Sequence, residues 1–426
     1  MKLLPLFSIL YYHKQIEDGF MTDNEKRLLG NCIRKYRRSK FTQEELTKGI
    51  CSKYTLSRLE NGIHCKSKIY HELLYKLGYV YHDNFDIVNI QLLFKDIISS
   101  ILINDITTVF NKIDCVETIL NKYKSHIYFT EIKIFLSFLK VHYSNQKIDF
   151  SLKDVEVLAY FDKSIRICTI HVLCENMMYF NDYINLKPFL RKFDLRLENH
   201  ILTDFFLMCD YQYEAQLIKT HAIFKNHSHI FTEENNYFQS IRFHLVYALG
   251  YLHKNPDKAL VMLDKIKTLK EKSMCTTDYF YIYYFAMIIY CSRKNHWLET
   301  YEYALHALEN YPSFYAHFLP YIIILSLFLN KEVDARYLVY NNDLLSDACI
   351  DLYHMSKTYP HPEKKMLAFI NRYLTKYIGK NNSSIPFINV LRKEVIHLVE
   401  ISFCYRSALV FDALIKKHTN EKEYQL

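Results

Sequence analysis

Lys53, Tyr54, Ser57 and Arg58 stand at positions i, i+1, i+4 and i+5 of the run Ser52-Lys53-Tyr54-Thr55-Leu56-Ser57-Arg58-Leu59-Glu60. On a helix of 3.6 residues per turn these four share one face, and Leu56 and Leu59 share the other. The polar face carries side chains that can read base edges. Arg58 can donate two hydrogen bonds to guanine O6 and N7, Lys53 can do so as a point charge, and Tyr54 can touch a thymine methyl. Ser52 supplies the hydroxyl that a helix N-cap needs. Upstream, Gln43 opens another short helical run, where a side-chain amide beside a helix N-terminus suits a phosphate oxygen. The chemistry is recognition of a duplex rather than turnover.

Side chains of this kind need a frame, and periodicity supplies one. Leu28, Leu29, Cys32, Ile33 and Tyr36 recur at helical spacing and predict a first helix over 24–39. Thr42-Gln43-Glu44-Glu45 has the form of a capping box that starts a second, short helix carrying Leu46 inward. Gly49 suits its C-terminus, because glycine accepts positive φ, and Ile50-Cys51 makes the turn. The third helix covers 53–60 and stops at Asn61-Gly62. A fourth, over 67–77, brings Ile69, Leu73, Leu74 and Leu77 to close a small core before Gly78.

Charge follows the same boundary. Residues 22–82 hold thirteen Lys and Arg against six Asp and Glu, a surplus of seven out of the +8 of the whole chain. One seventh of the protein therefore carries nearly all the net charge, which marks a polyanion-binding head on a balanced body. Two short helices joined by a tight turn, the second opened by a polar cap, are the sequence image of a helix-turn-helix.

The runs Phe41-Thr42-Gln43-Glu44-Glu45-Leu46 and Ile50-Cys51-Ser52-Lys53-Tyr54-Thr55-Leu56-Ser57-Arg58-Leu59-Glu60-Asn61-Gly62 resemble the Cro/repressor (lambda-repressor-like) type of helix-turn-helix. More narrowly they resemble the Rgg/PlcR-type peptide-responsive regulators of Gram-positive bacteria, a quorum-sensing class. The resemblance covers about 60 residues. It implies phosphate contact for Gln43, recognition for Lys53, Tyr54, Ser57 and Arg58, and a buried pair between Glu60 and an arginine of the first helix, here Arg37. The stretch between Arg37 and Gln43 is one residue shorter than the family's spacing and lacks its glycine. The resemblance also implies a C-terminal repeat domain that dimerises and binds a short peptide.

Beyond residue 82 the chain is a succession of apolar-periodic stretches. Residues 85–104 read as one helix joining head to body. Phe238, Ile241, Leu245, Ala248, Leu249 and Leu252 mark one helix face, and Asn255-Pro256 opens a partner with Ala259, Leu260, Leu263 and Ile266. Helix pairs starting near 237, 279 and 314 recur at separations that bracket the period of about 34 residues of tetratricopeptide (TPR) repeats. A solenoid groove that grips a peptide needs amides for its backbone and aromatics for its side chains. Asn235, Asn236, Tyr237, Arg242, Tyr279, Tyr283 and Tyr284 fall at or near the starts of first helices and are the candidates. His221 and His227-Ser228-His229 suggest metal, but no third ligand stands at helical spacing, and a loop of solvated histidines is expected instead.

The sequence thus predicts an all-α protein: an extension or misassigned start over 1–21 (Met21 being the alternative initiator), a helix-turn-helix domain over 22–82, a linker helix over 83–105 and a TPR-like α-solenoid over 106–426. Only 7 glycines in 426 residues argue against phosphate-cradling loops and nucleotide folds. No nucleophile elbow, paired-carboxylate motif or metal cluster is visible, so no enzyme, cofactor or metal is expected. The eleven cysteines are scattered and never spaced Cys-x-x-Cys, which predicts reduced, buried thiols in the cytoplasm. Residues 314–329 lack charge but include His317 and Pro320 and fall short of the ~20 residues of a membrane span, so a buried helix is expected. The apolar start of the chain has no small-residue cleavage site of a secretion signal. The expected function is a homodimeric transcriptional regulator that binds double-stranded DNA under the control of a short peptide. The alternative is a TPR-like interaction scaffold or antitoxin-like adaptor with secondary DNA binding.

Overall fold

The computed structural model describes residues 22–354, apart from 64–66, 81–84, 180–181, 215, 234–235, 253, 274–279, 313–314, 330, 341–345, 348 and 351–352. The described residues make an all-α protein of sixteen helices, largely in antiparallel pairs. Among them no strand forms, and the one β-type pairing is an isolated parallel bridge between Val80 and His126. The chain divides into two compact units, one ending at Phe206 and one beginning at Leu207.

In the first unit, α1 (Asp23–Lys40), α2 (Gln43–Thr47), α3 (Lys53–Glu60) and α4 (Ser67–Leu77) form the basic head. Each of the first three begins where a hydroxyl caps free backbone N–H groups. The Thr22 hydroxyl accepts from the Glu25 amide, that of Thr42 from the Glu45 amide and that of Ser52 from the Thr55 amide. Leu28, Leu29, Cys32, Ile33, Leu46, Leu56, Leu59, Tyr70, Leu73, Leu74 and Leu77 are buried and form the head's apolar interior.

Next come α5 (Ile87–Leu102), α6 (Ile106–Leu120), α7 (Ile127–Tyr143), α8 (Lys163–Tyr179) and α9 (Tyr183–Lys192), while α10 (Ile201–Tyr213) contains the division between the units. The helix expected to link head and body is not a free rod. Ile90, Phe94, Ile97 and Ile101 of α5 are buried, and the helix packs on both α6 and α8. The structural division accordingly falls at Phe206, far beyond the linker read from the sequence.

The second unit holds α11 (Leu217–Glu233), α12 (Tyr237–Tyr251), α13 (Pro256–Ser273), α14 (Phe280–Arg293), α15 (Trp297–Asn310) and α16 (Tyr315–Phe328). Ile241, Leu245, Ala248, Leu249 and Leu252 of α12 meet Ala259, Leu263 and Ile266 of α13 in one apolar core, which continues through α14, α15 and α16. Pro320 lies inside α16, and no helix among the described residues is long and apolar enough to cross a membrane.

One sequence reading is corrected here. His221, His227 and Ser228 lie on α11, not in a loop, and His227 is buried against the ring of Phe243 at 5.6 Å. Phe224, His227 and Phe231, spaced three and four apart, form a helix face that packs on α12. Among the described residues no three metal-ligating side chains converge. Cys32, Cys168, Cys174, Cys291 and Cys349 are buried cysteines, while Cys115 is exposed. Residues 1–21 and 355–426 lie outside the described residues.

Candidate nucleic-acid interface

The interface is built on the α2–α3 corner. Backbone N–H groups of Ile50 and Cys51 both donate to the Thr47 carbonyl, and Gly49, just before Ile50, has φ +81°, which a side-chain-bearing residue adopts only with strain. The corner then delivers Ser52 as the cap of α3, its hydroxyl 3.0 Å from the Thr55 amide. On the far side of α2, the Lys76 ammonium donates to the carbonyls of Glu45 (2.6 Å) and Lys48 (3.1 Å), so α4 ties down the end of α2.

α3 crosses α1 closely. A Cβ on Gly30 would lie against the Leu59 carbonyl oxygen inside van der Waals contact. Behind this crossing, Glu60 is buried and takes two bonds from Arg37, from Nε at 2.5 Å and from Nη2 at 3.1 Å. The pair implied by the family resemblance is therefore present despite the shortened stretch before Gln43. The two parallel bonds fix orientation as well as distance, as bidentate arginine–carboxylate pairs do.

With the inner face of α3 fixed by Leu56, Leu59 and Glu60, the opposite face is open. Ser52, Lys53, Tyr54, Ser57 and Arg58 are all exposed, and Tyr54 is 71% accessible. The Arg58 guanidinium stands 5.8 Å from the Tyr54 ring centroid, so an aromatic face steadies a five-donor cation. The Lys53 ammonium is 2.9 Å from Glu44 Oε2. Gln43 is less free than the sequence suggests. It is half-buried, and its amide nitrogen points at Glu60 Oε2 at 3.4 Å.

A second set of polar groups was not legible in the sequence. Glu131 on α7 is fully buried and receives Lys35 Nζ at 2.8 Å and the Tyr36 hydroxyl at 2.7 Å. Lys35 also donates to the Asp154 carbonyl at 3.1 Å, Arg38 lies 3.7 Å from Glu156, and the Val80 amide donates to the Ser125 carbonyl at 2.9 Å. Burial, and then the Glu131 carboxylate, push the Tyr36 phenol far above its usual range, which keeps its proton in place for that bond. The head thus shares buried polar contacts with the helices that follow it.

The peptide-contact candidates are not gathered on one exposed face. Asn236 is buried, its side chain accepting from the Gln239 amide as the cap of α12. Arg242 is 1% accessible with its guanidinium 5.5 Å from the Phe238 ring, and Tyr283 is 5% accessible and stacked on Phe280. Tyr237 and Tyr284 are half-buried, and Asn235 and Tyr279 lie outside the described residues. The chain matches no protein-family model, no curated protein and no solved structure.

Proposed function

We propose that this protein is a sequence-specific, DNA-binding transcriptional regulator in which α2, the turn and α3 act as a helix-turn-helix with α3 in the major groove. The observation that carries the reading is the outward face of α3. Four exposed side chains with base-reading chemistry lie on a helix that a serine cap, a bidentate ion pair and a glycine crossing hold from behind. A helix of this width fills the major groove, and residues near its N-terminus reach base edges. The basic surplus of the head supplies the phosphate contacts that position it. The helix pairs of the second unit are proposed as a TPR-like body that holds a homodimer and senses a short peptide, with the ligand favouring one spacing of the heads.

The test is selection of bound sequences from random duplex DNA by the purified full chain. A defined site is expected, with affinity that falls steeply with salt as counterions are released. Arg58→Ala is expected to weaken binding by roughly 1–3 kcal/mol and to relax choice at one position. Failure to enrich any sequence would overturn the reading. The scaffold reading draws on the buried contacts of Lys35 and Tyr36 with Glu131 of α7, which make the head a structural part of the first unit. A stable protein partner with no selected DNA would favour it.

A further inference from the structure

Glu44 is the second residue of α2 and Lys53 the first of α3, and the turn between them brings their side chains together on the exposed surface. Their charged atoms are 2.9 Å apart, with 56% of the Lys53 side chain and 77% of that of Glu44 accessible. A pair this exposed adds little to stability. Its place beside Tyr54 and Arg58 is the more telling property. A carboxylate aimed at DNA is repelled by phosphates, and that repulsion is offset where the carboxylate accepts a hydrogen bond from a base amine.

We propose that Glu44 is a specificity-determining residue which, together with Lys53, selects one G·C pair in the major groove. The inference rests on α3 being the recognition helix. A G·C edge places guanine N7 and O6, both acceptors, beside the cytosine N4 amine, a donor. The Lys53 ammonium has three N–H groups. One is directed at Glu44, and two remain for guanine. The second oxygen of Glu44 accepts from cytosine N4, so the pair reads both bases of one step. Held by the carboxylate, Lys53 is no longer a point charge free to settle on any phosphate. An A·T edge offers its donor between two separated acceptors and adds the thymine methyl, which matches this donor-and-acceptor set less well.

The experiment compares the full chain with Glu44→Ala and Lys53→Ala in the same random-duplex selection, followed by titration of the selected site and its single-base variants. Wild type is expected to require G·C at one position. Both variants are expected to lose about tenfold or more of that discrimination at that position alone, with Glu44→Ala binding unrelated DNA more tightly than wild type. Its thermal unfolding is expected to stay unchanged, because both groups are exposed. A Glu44→Ala profile identical to wild type at every position would overturn the inference while leaving DNA binding intact, as would a shared loss at an A·T position. If wild type enriches no site, the recognition-helix reading falls and this inference falls with it.

Discussion

His244 is a buried imidazole whose Nδ1 lies 2.7 Å from the Ser240 carbonyl, and burial holds its pKa down, to about 4. Between pH 6.5 and 4 the unfolded chain therefore takes up a proton that the folded chain refuses. Stability contributed by neutral His244 is fully present above pH 6.5 and is lost as pH falls toward 4, by roughly 3 kcal/mol in all. Urea denaturation across this range is expected to show that decline, and His244→Phe is expected to flatten it; an equally steep decline in the variant would remove His244 as its source. Legibility at this scale followed local spacing. The outward set on α3 and the Ser52 cap could be read because their partners lie within one or two turns. Lys35 and Glu131 are 96 positions apart, and no local pattern joins them. The burial of Arg242 was not legible for a different reason. Every residue of α12 from Phe238 to Leu249 is buried, so position along that helix carries no information about exposure.

Among the elements, the α1–α3 crossing is the most demanding. Gly30→Ala adds a methyl where the neighbour is the Leu59 carbonyl, a backbone group that can move only if α3 moves. Alanine favours a helix over glycine by about 1 kcal/mol, and overpacking costs about 1–3 kcal/mol, so the net effect is expected to be destabilising. A lower melting temperature with weaker DNA binding is the expected outcome; an unchanged or higher melting temperature would show that the helices cross less closely. The starts of α2 and α3 were legible because Thr42 and Ser52 have one local job each. Few glycines mark the helix ends of the body. Asparagine stands in at three: Asn104, Asn145 and Asn295 have φ of 60°, 56° and 59° just beyond α5, α7 and α14. In each case the following amide reaches back to close the last turn, as Asp105 does to the Ser100 carbonyl at 2.9 Å. α11 escaped notice because its inner face uses His227 where an aliphatic residue would have declared the period.

At the scale of the molecule, the head and the helices up to Phe206 form one unit. Glu131→Ala would leave the Lys35 ammonium and the Tyr36 hydroxyl without their buried acceptor, and loss of about 3–5 kcal/mol is expected from such a break. Glu131→Gln, which keeps an acceptor for Tyr36, is expected to lose less. Denaturant titration distinguishes the two, and equal stability of all three proteins would show that the node carries no weight. Composition placed the boundary near residue 82 because charge is a surface property, whereas Glu131 and the Phe85 ring stacked on His126 at 4.1 Å belong to the interior. The consequence reaches protein engineering. A fragment trimmed where the positive charge ends would be severed through its own core, so this head is not an interchangeable cassette, and a chimaera must inherit α7 along with it.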